Sequence, residues 1–416
     1  MKPYMKTYMK MAQVENRLLL AAARRSLNLQ ENKELGQLIS KDLDWEFLFV
    51  AARRHGLMPL LYKHLHSISD YRVPEYFLMR LRHEVIANAQ SNLYLAGELL
   101  RVTNLFKKQG IRALVFKGVI LSQLVYGENS LRQAGDIDLL IGRKHFAPAK
   151  EMLESIGYRM TPCLTAAQQL SHLSSHCEIQ FMRDDGFTVL DLHWGLSPRS
   201  FRFGLVPEAV MERSQRIYFG GEEIETFSIE DIILYQCFHG TKHSWRQLES
   251  ISSLSALITS SPQIDWAVVV DRASGARARR MLMLGLLLAQ QVTNAPVPEF
   301  VFTKLGPDEE IRDYATQLAA DLFEGNSAAC NPLEIFRSSL KIMDRRSDAL
   351  AGLLRSIFVP TLSDWEAMLL PETLRLFYYP YRLLRLTTVY AGSLWRRFLP
   401  SHKNGVTNES LAKLQS

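Results

Sequence analysis

Apolar residues recur at helical spacing through residues 11–110. Leu18, Leu19, Ala22 and Ala23 fall together, as do Phe47, Val50, Ala51 and Arg54 after Asp44-Trp45. Pro59 and Pro74 punctuate this stretch, and the pattern predicts a long helix from Pro74 to about Gln109 with Gly110 as its stop. The period changes over residues 111–220. Ala113 to Phe116 is a short β-rich run, and Gly118 to Tyr126 suits a helix entered directly from it. A strand opening at Asp136 lies between Gly135 and Gly142, and a helix from Phe146 to Ile156 ends at Gly157. Glu178 to Met182 and Thr188 to Trp194 read as strands around Asp184-Asp185-Gly186; Ile217-Tyr218 and Ile224 to Phe227 read as a hairpin around Gly220-Gly221. From Ile229 onward helical spacing returns. Ser228 with Asp231 resembles a capping box, and helices are expected over 246–258, 265–292, 309–323 and 332–347. The class is therefore α+β: a helical region over 1–110, a mixed core over 111–228, a helical domain over 229–400 and a loose tail over 401–416.

The chemistry concentrates in the mixed core. Asp136 and Asp138 stand at i and i+2 on a strand, so both carboxylates leave one face while Ile137 points into the core. Two carboxylates side by side repel unless a positive charge lies between them, and a hard divalent cation such as Mg²⁺ takes oxygen ligands. Asp191 sits on another expected strand, with His193 on the same face. Asp136, Asp138 and Asp191 together suffice for two Mg²⁺ ions, which clamp the attacking and leaving oxygens of an in-line phosphoryl displacement. The third carboxylate is also placed to take a proton from an attacking hydroxyl. Gly118 joins a strand to a helix, a junction that presents backbone N–H groups to a phosphate; Lys117 adds a point charge, and Arg132 lies four residues before Asp136. His239, Lys242, His243 and Arg246 fall at i, i+3, i+4 and i+7, either a stripe for a triphosphate or an exposed polar face. His172, His176, Cys177 and His193 offer zinc-ligand types, but their spacing matches no strong zinc pattern and fits a polar loop or pocket lining better.

Composition bounds the partners. At 416 residues, two or more domains are expected. Four scattered cysteines without CxxC spacing fit a reducing cytosol, and the positive charges at the N-terminus have no apolar core behind them, so no signal peptide is expected. The apolar run from Met281 to Ala289 is too short to span a bilayer. The net charge is +6, and Thr373 to Asn408 carries six basic residues (Arg375, Arg382, Arg385, Arg396, Arg397 and Lys403) with no acidic one. The rest of the chain is near neutral, which gives little support for binding a long nucleic acid. The basic segment, interleaved with aromatic and leucine residues over 373–403, suits either an anionic membrane surface or packing with its arginines reaching water.

Lys117-Gly118, Tyr126, Arg132, Asp136-Ile137-Asp138-Leu139-Leu140, Asp191-Leu192-His193-Trp194 and His239 to Trp245 together resemble the uncharacterised nucleotidyltransferase family of the DNA polymerase β superfamily, a bacterial family. The similarity extends through Pro360 to Trp365, Leu370-Pro371 and Tyr381 to Leu384. The resemblance implies a catalytic core of a small mixed sheet with helices over 111–228, flanked by helical regions. It implies Asp136 and Asp138 as paired ligands of Mg²⁺ or Mn²⁺ with Asp191 as the third, and Lys117, Gly118, Arg132 and Lys242 on the nucleotide. Two departures stand out. The phosphate turn reads Lys117-Gly118-Val119 where superfamily members carry Gly-Ser or Gly-Gly, and Ser250 and Ser253 replace a Trp and an Asp of relatives. The implied activity is metal-dependent transfer of a nucleoside monophosphate from an NTP such as ATP to a sugar, peptide, protein or RNA end, releasing pyrophosphate. The expected location is the cytoplasm, with segment 373–403 a candidate for peripheral contact with the inner membrane. The alternatives are a nucleotide- or partner-binding module without turnover, and a toxin–antitoxin enzyme modifying tRNA or a protein.

Overall fold

The structure is a computed structural model that describes residues 13–68, 73–198, 201–324, 332–368 and 370–398. The first helices are α1 (Val14–Ala22), α2 (Leu29–Ile39), α3 (Trp45–Arg54), α4 (Met58–Ser67) and α5 (Glu75–Lys108). The mixed region follows as β1 (Ala113–Val115), α6 (Gly118–Tyr126), β2 (Ile137–Ile141), α7 (Phe146–Ser155), β3 (Tyr158–Thr161), α8 (Ala166–Ser175), β4 (Glu178–Arg183), β5 (Val189–His193), α9 (Pro207–Glu212), β6 (Gln215–Phe219) and β7 (Glu222–Thr226). Helices then resume with α10 (Ile229–Lys242), α11 (Leu248–Ser260), α12 (Trp266–Gly275), α13 (Arg279–Thr293), α14 (Glu299–Leu305) and α15 (Glu309–Asp321). The last are α16 (Pro332–Ile342), α17 (Arg346–Phe358), α18 (Leu362–Ala367) and α19 (Tyr378–Phe398).

The fold is α+β. Among the described residues, seven strands form one mixed sheet in the order β3-β4-β5-β2-β1-β7-β6. β2 runs parallel to β5, and β1 parallel to β7; the other pairs are antiparallel. All five residues of β2 are buried, as expected for a central strand covered on both faces. Helices on either side of the sheet in sequence share one apolar core, which includes Leu18 and Leu61 before it and Leu254 and Leu284 after it. Helix α13 is buried nearly all round from Met281 to Ala289, the pattern of a helix at the centre of a core. Among the described residues, no helix is long and apolar enough to cross a membrane.

The chain divides into two compact units, Met1–Leu353 and Leu354–Ser416. In the second, Asp364 is fully buried and accepts hydrogen bonds from Arg382 Nη1 at 2.5 Å and Arg385 Nε at 2.6 Å. Two of the six arginine and lysine charges expected to face solvent or membrane are thus held by one carboxylate. The expected tail at 401–416, Lys403, Cys330 and the basic N-terminal residues lie outside the described residues.

Several sequence expectations give way to tertiary structure. The helix expected over 265–292 is two helices. They part where Gly204 donates its N–H to the Ala276 carbonyl at 2.9 Å, and Arg277 adopts a φ of 54°. The helix expected over 332–347 stops at Ile342, because Asp344 turns its carboxylate to the N–H groups of Arg279 and Arg280 at the start of α13 (3.1 and 2.9 Å). The polar loop expected around His172 is helix α8, opened by a capping box between Thr165 and Gln168. At Ser228 only half of the expected box forms. Ser228 Oγ accepts from the Asp231 N–H, but the Asp231 carboxylate binds Arg213 and Arg272 instead of returning to the Ser228 backbone.

Candidate active site

Register places the site. Asp138 on β2 lies directly opposite Asp191 on β5, and Leu140 opposite His193. On the other flank of β5, Gln180 of β4 faces Asp191, and Glu178 faces His193. Directly paired residues share a sheet face. Asp138, Asp191, His193, Glu178 and Gln180 therefore project together, with Asp136 immediately before β2 on the same side. One ligand atom from each of Asp138, Asp191 and His193 lies within 4.8 Å of the others.

The loop that delivers Asp136 is held by α5. Buried Asn92 donates to the Arg132 carbonyl at 2.7 Å and accepts from the Ala134 N–H at 3.3 Å, and Asn88 donates to the Ser130 carbonyl at 2.7 Å. Gly118 starts α6 with a φ of 57°, and a Cβ there would lie 3.1 Å from the Asp136 carbonyl oxygen. The residue must therefore be glycine on two counts, conformation and space.

Asp138 is the most engaged carboxylate. Lys117 Nζ donates to its Oδ1 at 2.8 Å, and His193 Nε2 lies 2.9 Å from the same oxygen. Its Oδ2 is buried without a hydrogen-bond partner. Burial alone would raise the Asp138 pKa, but the Lys117 charge and the His193 hydrogen bond hold it well below the usual carboxylate range. Asp136 moves the other way. Burial, then the charges of Asp138 and Asp191, push it up to about 6 against the pull of Lys117 and Arg132. Asp191 is likewise raised by burial and by Asp138. Two of the three carboxylates thus carry a charge that their protein surroundings hold poorly.

His193 is buried with a nitrogen toward each of two carboxylates, Nε2 toward Asp138 and Nδ1 at 3.0 Å from Glu178 Oε2. Burial works against the imidazolium, yet these two acceptors outweigh it and raise the pKa. Nε2 is taken by Asp138, while Nδ1 lies 3.0 Å from the Glu178 carboxylate without an aligned hydrogen bond, so through Nε2 His193 braces Asp138. Glu178 in turn lies 3.7 Å from Lys242 Nζ.

The other expected nucleotide contacts lie around this face. Arg132 reaches Glu249 on α11 at 2.6 Å and the Gly118 carbonyl at 3.5 Å, and Ser253, one of the two departures, donates to the same Glu249 oxygen. His239 sits within electrostatic reach of Lys117, Arg132 and Asp138; burial and then Lys117 push its pKa down, so its ring is neutral. The expected basic stripe loses Arg246, because α10 stops at Lys242. Ser244 and Trp245 take φ values of 56° and 50°, and the Trp245 indole packs so closely on Gly240 that a Cβ there would lie 2.6 Å from the ring. The suspected zinc set also separates in role. His172 and His176 stack at 4.2 Å, with His172 Nε2 on the Glu178 carbonyl at 2.7 Å, while His193 belongs to Asp138.

Sequence reasoning missed Glu178 and Asn92. Glu178 had a signal, an acidic residue opening an apolar strand, but its pairing with His193 follows from register alone. Asn92 is one polar residue in a 34-residue helix and had none.

The donor set suits a hard divalent cation. It offers carboxylate oxygens, and a buried carboxylate oxygen without a partner is costly until a cation or donor meets it. The chain matches no curated protein. Residues 41–294, from just after α2 to the end of α13, match a known family; with more than half of its length matched, the chain belongs to the uncharacterised nucleotidyltransferase family.

Proposed function

We propose that this protein transfers a nucleoside monophosphate from an NTP to a hydroxyl or phosphate oxygen of an acceptor, with Mg²⁺ or Mn²⁺ held by Asp136, Asp138 and Asp191. The observation that carries the reading is the register of β2 against β5, which sets Asp138 beside Asp191 on the face where Asp136 enters. When bound, the divalent cation neutralises charge on the phosphates and on the carboxylates that hold it. Lys117, Gly118 and Arg132 line the phosphate side, and Lys242 approaches from the end of α10. The acceptor oxygen forms a bond to the α-phosphorus, the bond from that phosphorus to the bridging oxygen breaks, and pyrophosphate leaves with the electron pair. The acceptor proton passes to the Asp191 carboxylate. Segment 373–403 is also proposed to make peripheral contact with an anionic membrane, with Arg382 and Arg385 excluded because Asp364 holds them.

The test is incubation with each α-³²P-labelled NTP and Mg²⁺ or Mn²⁺ in a cell lysate, comparing wild type with the double variant Asp136→Ala/Asp138→Ala. Label carried to a macromolecule or small acceptor by wild type alone is the expected result. Equal nucleotide binding by both proteins with no transfer from any NTP would replace the enzyme by a binding module.

A further inference from the structure

The two oxygens of Asp138 stand in different surroundings. Oδ1 already faces two cationic or hydrogen-bonding groups, Lys117 Nζ at 2.8 Å and His193 Nε2 at 2.9 Å, while Oδ2 is buried and bare. A carboxylate shared by two metal ions gives one oxygen to each, and such ions sit about 3.5–4 Å apart. A Mg²⁺ on Oδ1 would need to lie about 2.0–2.1 Å from it, within the space of the ammonium.

Neither occupant of Oδ1 is placed to leave easily. The Lys117 side chain is 15% exposed, and its ammonium lies over the rings of Phe116 and Tyr235, at 5.3 and 5.4 Å from their centroids. His193 is 1% exposed, packs edge-on against Phe116 at 5.1 Å and is braced from behind by Glu178. An ammonium has three donors, and Asp138 takes one, so others remain for a phosphate oxygen.

We propose, on the nucleotidyltransferase reading above, that the site takes a single divalent cation, on Asp138 Oδ2 with Asp136 and Asp191, and that the Lys117 ammonium is the second positive charge, bridging Asp138 Oδ1 and a nucleotide phosphate. This accounts for the Lys-Gly turn. A family member that uses a lysine as a fixed cation has no need of a serine hydroxyl beside Gly118. It also gives Glu178 and His193 a common task as positioning residues, holding Asp138 so that Oδ2 alone faces the open position.

The experiment counts protein-bound Mn²⁺ by electron paramagnetic resonance, titrating the full chain at saturating α,β-methylene-ATP. Wild type is expected to bind one Mn²⁺ per chain and Asp138→Asn none. Lys117→Met, which keeps the stem and removes the charge, is expected to bind two. Two ions on wild type, or one on Lys117→Met, would overturn the lysine's role while leaving the transferase reading intact. No ion on wild type would remove the metal site and that reading together. The wild-type count stands even where a variant misfolds.

Discussion

Asp136 is the residue whose chemistry is most exposed to test. Its proton is held more tightly in the folded protein than in the unfolded chain, with a pKa of about 6 against 3.8. The folded state is thus favoured by protonation, and without metal its stability falls as pH rises from about 4 to about 6 and stays lower above that. The shift corresponds to at most ~3 kcal/mol, at 1.36 kcal/mol per pKa unit. Asp136→Asn keeps the shape without the charge. In metal-free buffer at pH 7.5 it should melt a few degrees above wild type, and the gap should narrow to about a third at pH 4.5. Added Mg²⁺ should raise the wild-type melting temperature and leave the variant unmoved, while label transfer by the variant drops at least about 100-fold, the scale of one lost charge-stabilising group. A variant that melts below wild type at pH 7.5 would show that Asp136 is not under the repulsion described.

At the scale of elements, the site depends on two joints. The first ties the loop before β2 to α11 through Arg132 and Glu249, whose side chains are 15% and 12% exposed. Glu249→Ala would leave a guanidinium largely out of water without its partner. A cost of about 3–5 kcal/mol is expected in denaturant unfolding, with a larger KM for NTP as Arg132 loses its anchor. Glu249→Gln, which still accepts a hydrogen bond, should lose less. The second joint is the seat of Trp245 on Gly240. Gly240→Ala would drive a methyl into the indole and should cost about 1–3 kcal/mol, read as an earlier unfolding midpoint. These joints also mark how far sequence reaches. The helix Gly118 to Tyr126 and the Asp136-Ile137-Asp138 strand are legible because a glycine, an apolar run and a period of 2 are local signals. Glu178 against His193, Asn92 against the Arg132 carbonyl and Glu249 against Arg132 pair residues 15, 40 and 117 apart, and only the sheet register and helix packing bring them together. The break at Ala276 is invisible for the same reason, since its cause is the distant Gly204.

On the scale of the whole molecule, the second compact unit, Leu354–Ser416, hangs on one acid. Asp364 accepts from the Thr361 N–H at 2.7 Å and from Arg382 and Arg385, and Arg382 also donates to the Ile357 carbonyl. Burial alone would raise the Asp364 pKa, but these donors hold it below its ordinary value, so its contribution is present above pH 4 and fades as the carboxylate is protonated below that. At roughly 0.05–0.15 kcal/mol per residue, the described residues of this unit, 354–368 and 370–398, have only about 2–7 kcal/mol of stability. Removing the acid strands two arginines, one nearly buried, at a cost of about 3–5 kcal/mol, which is the same order as the stability of the unit. Asp364→Ala should therefore unfold this unit by itself. Limited proteolysis should cut the variant between Leu354 and Phe398 at protease levels that leave wild type whole, while the fragment ending near Leu353 resists. Cleavage spread evenly over both units would mean that they unfold together and that Asp364 supports the whole chain.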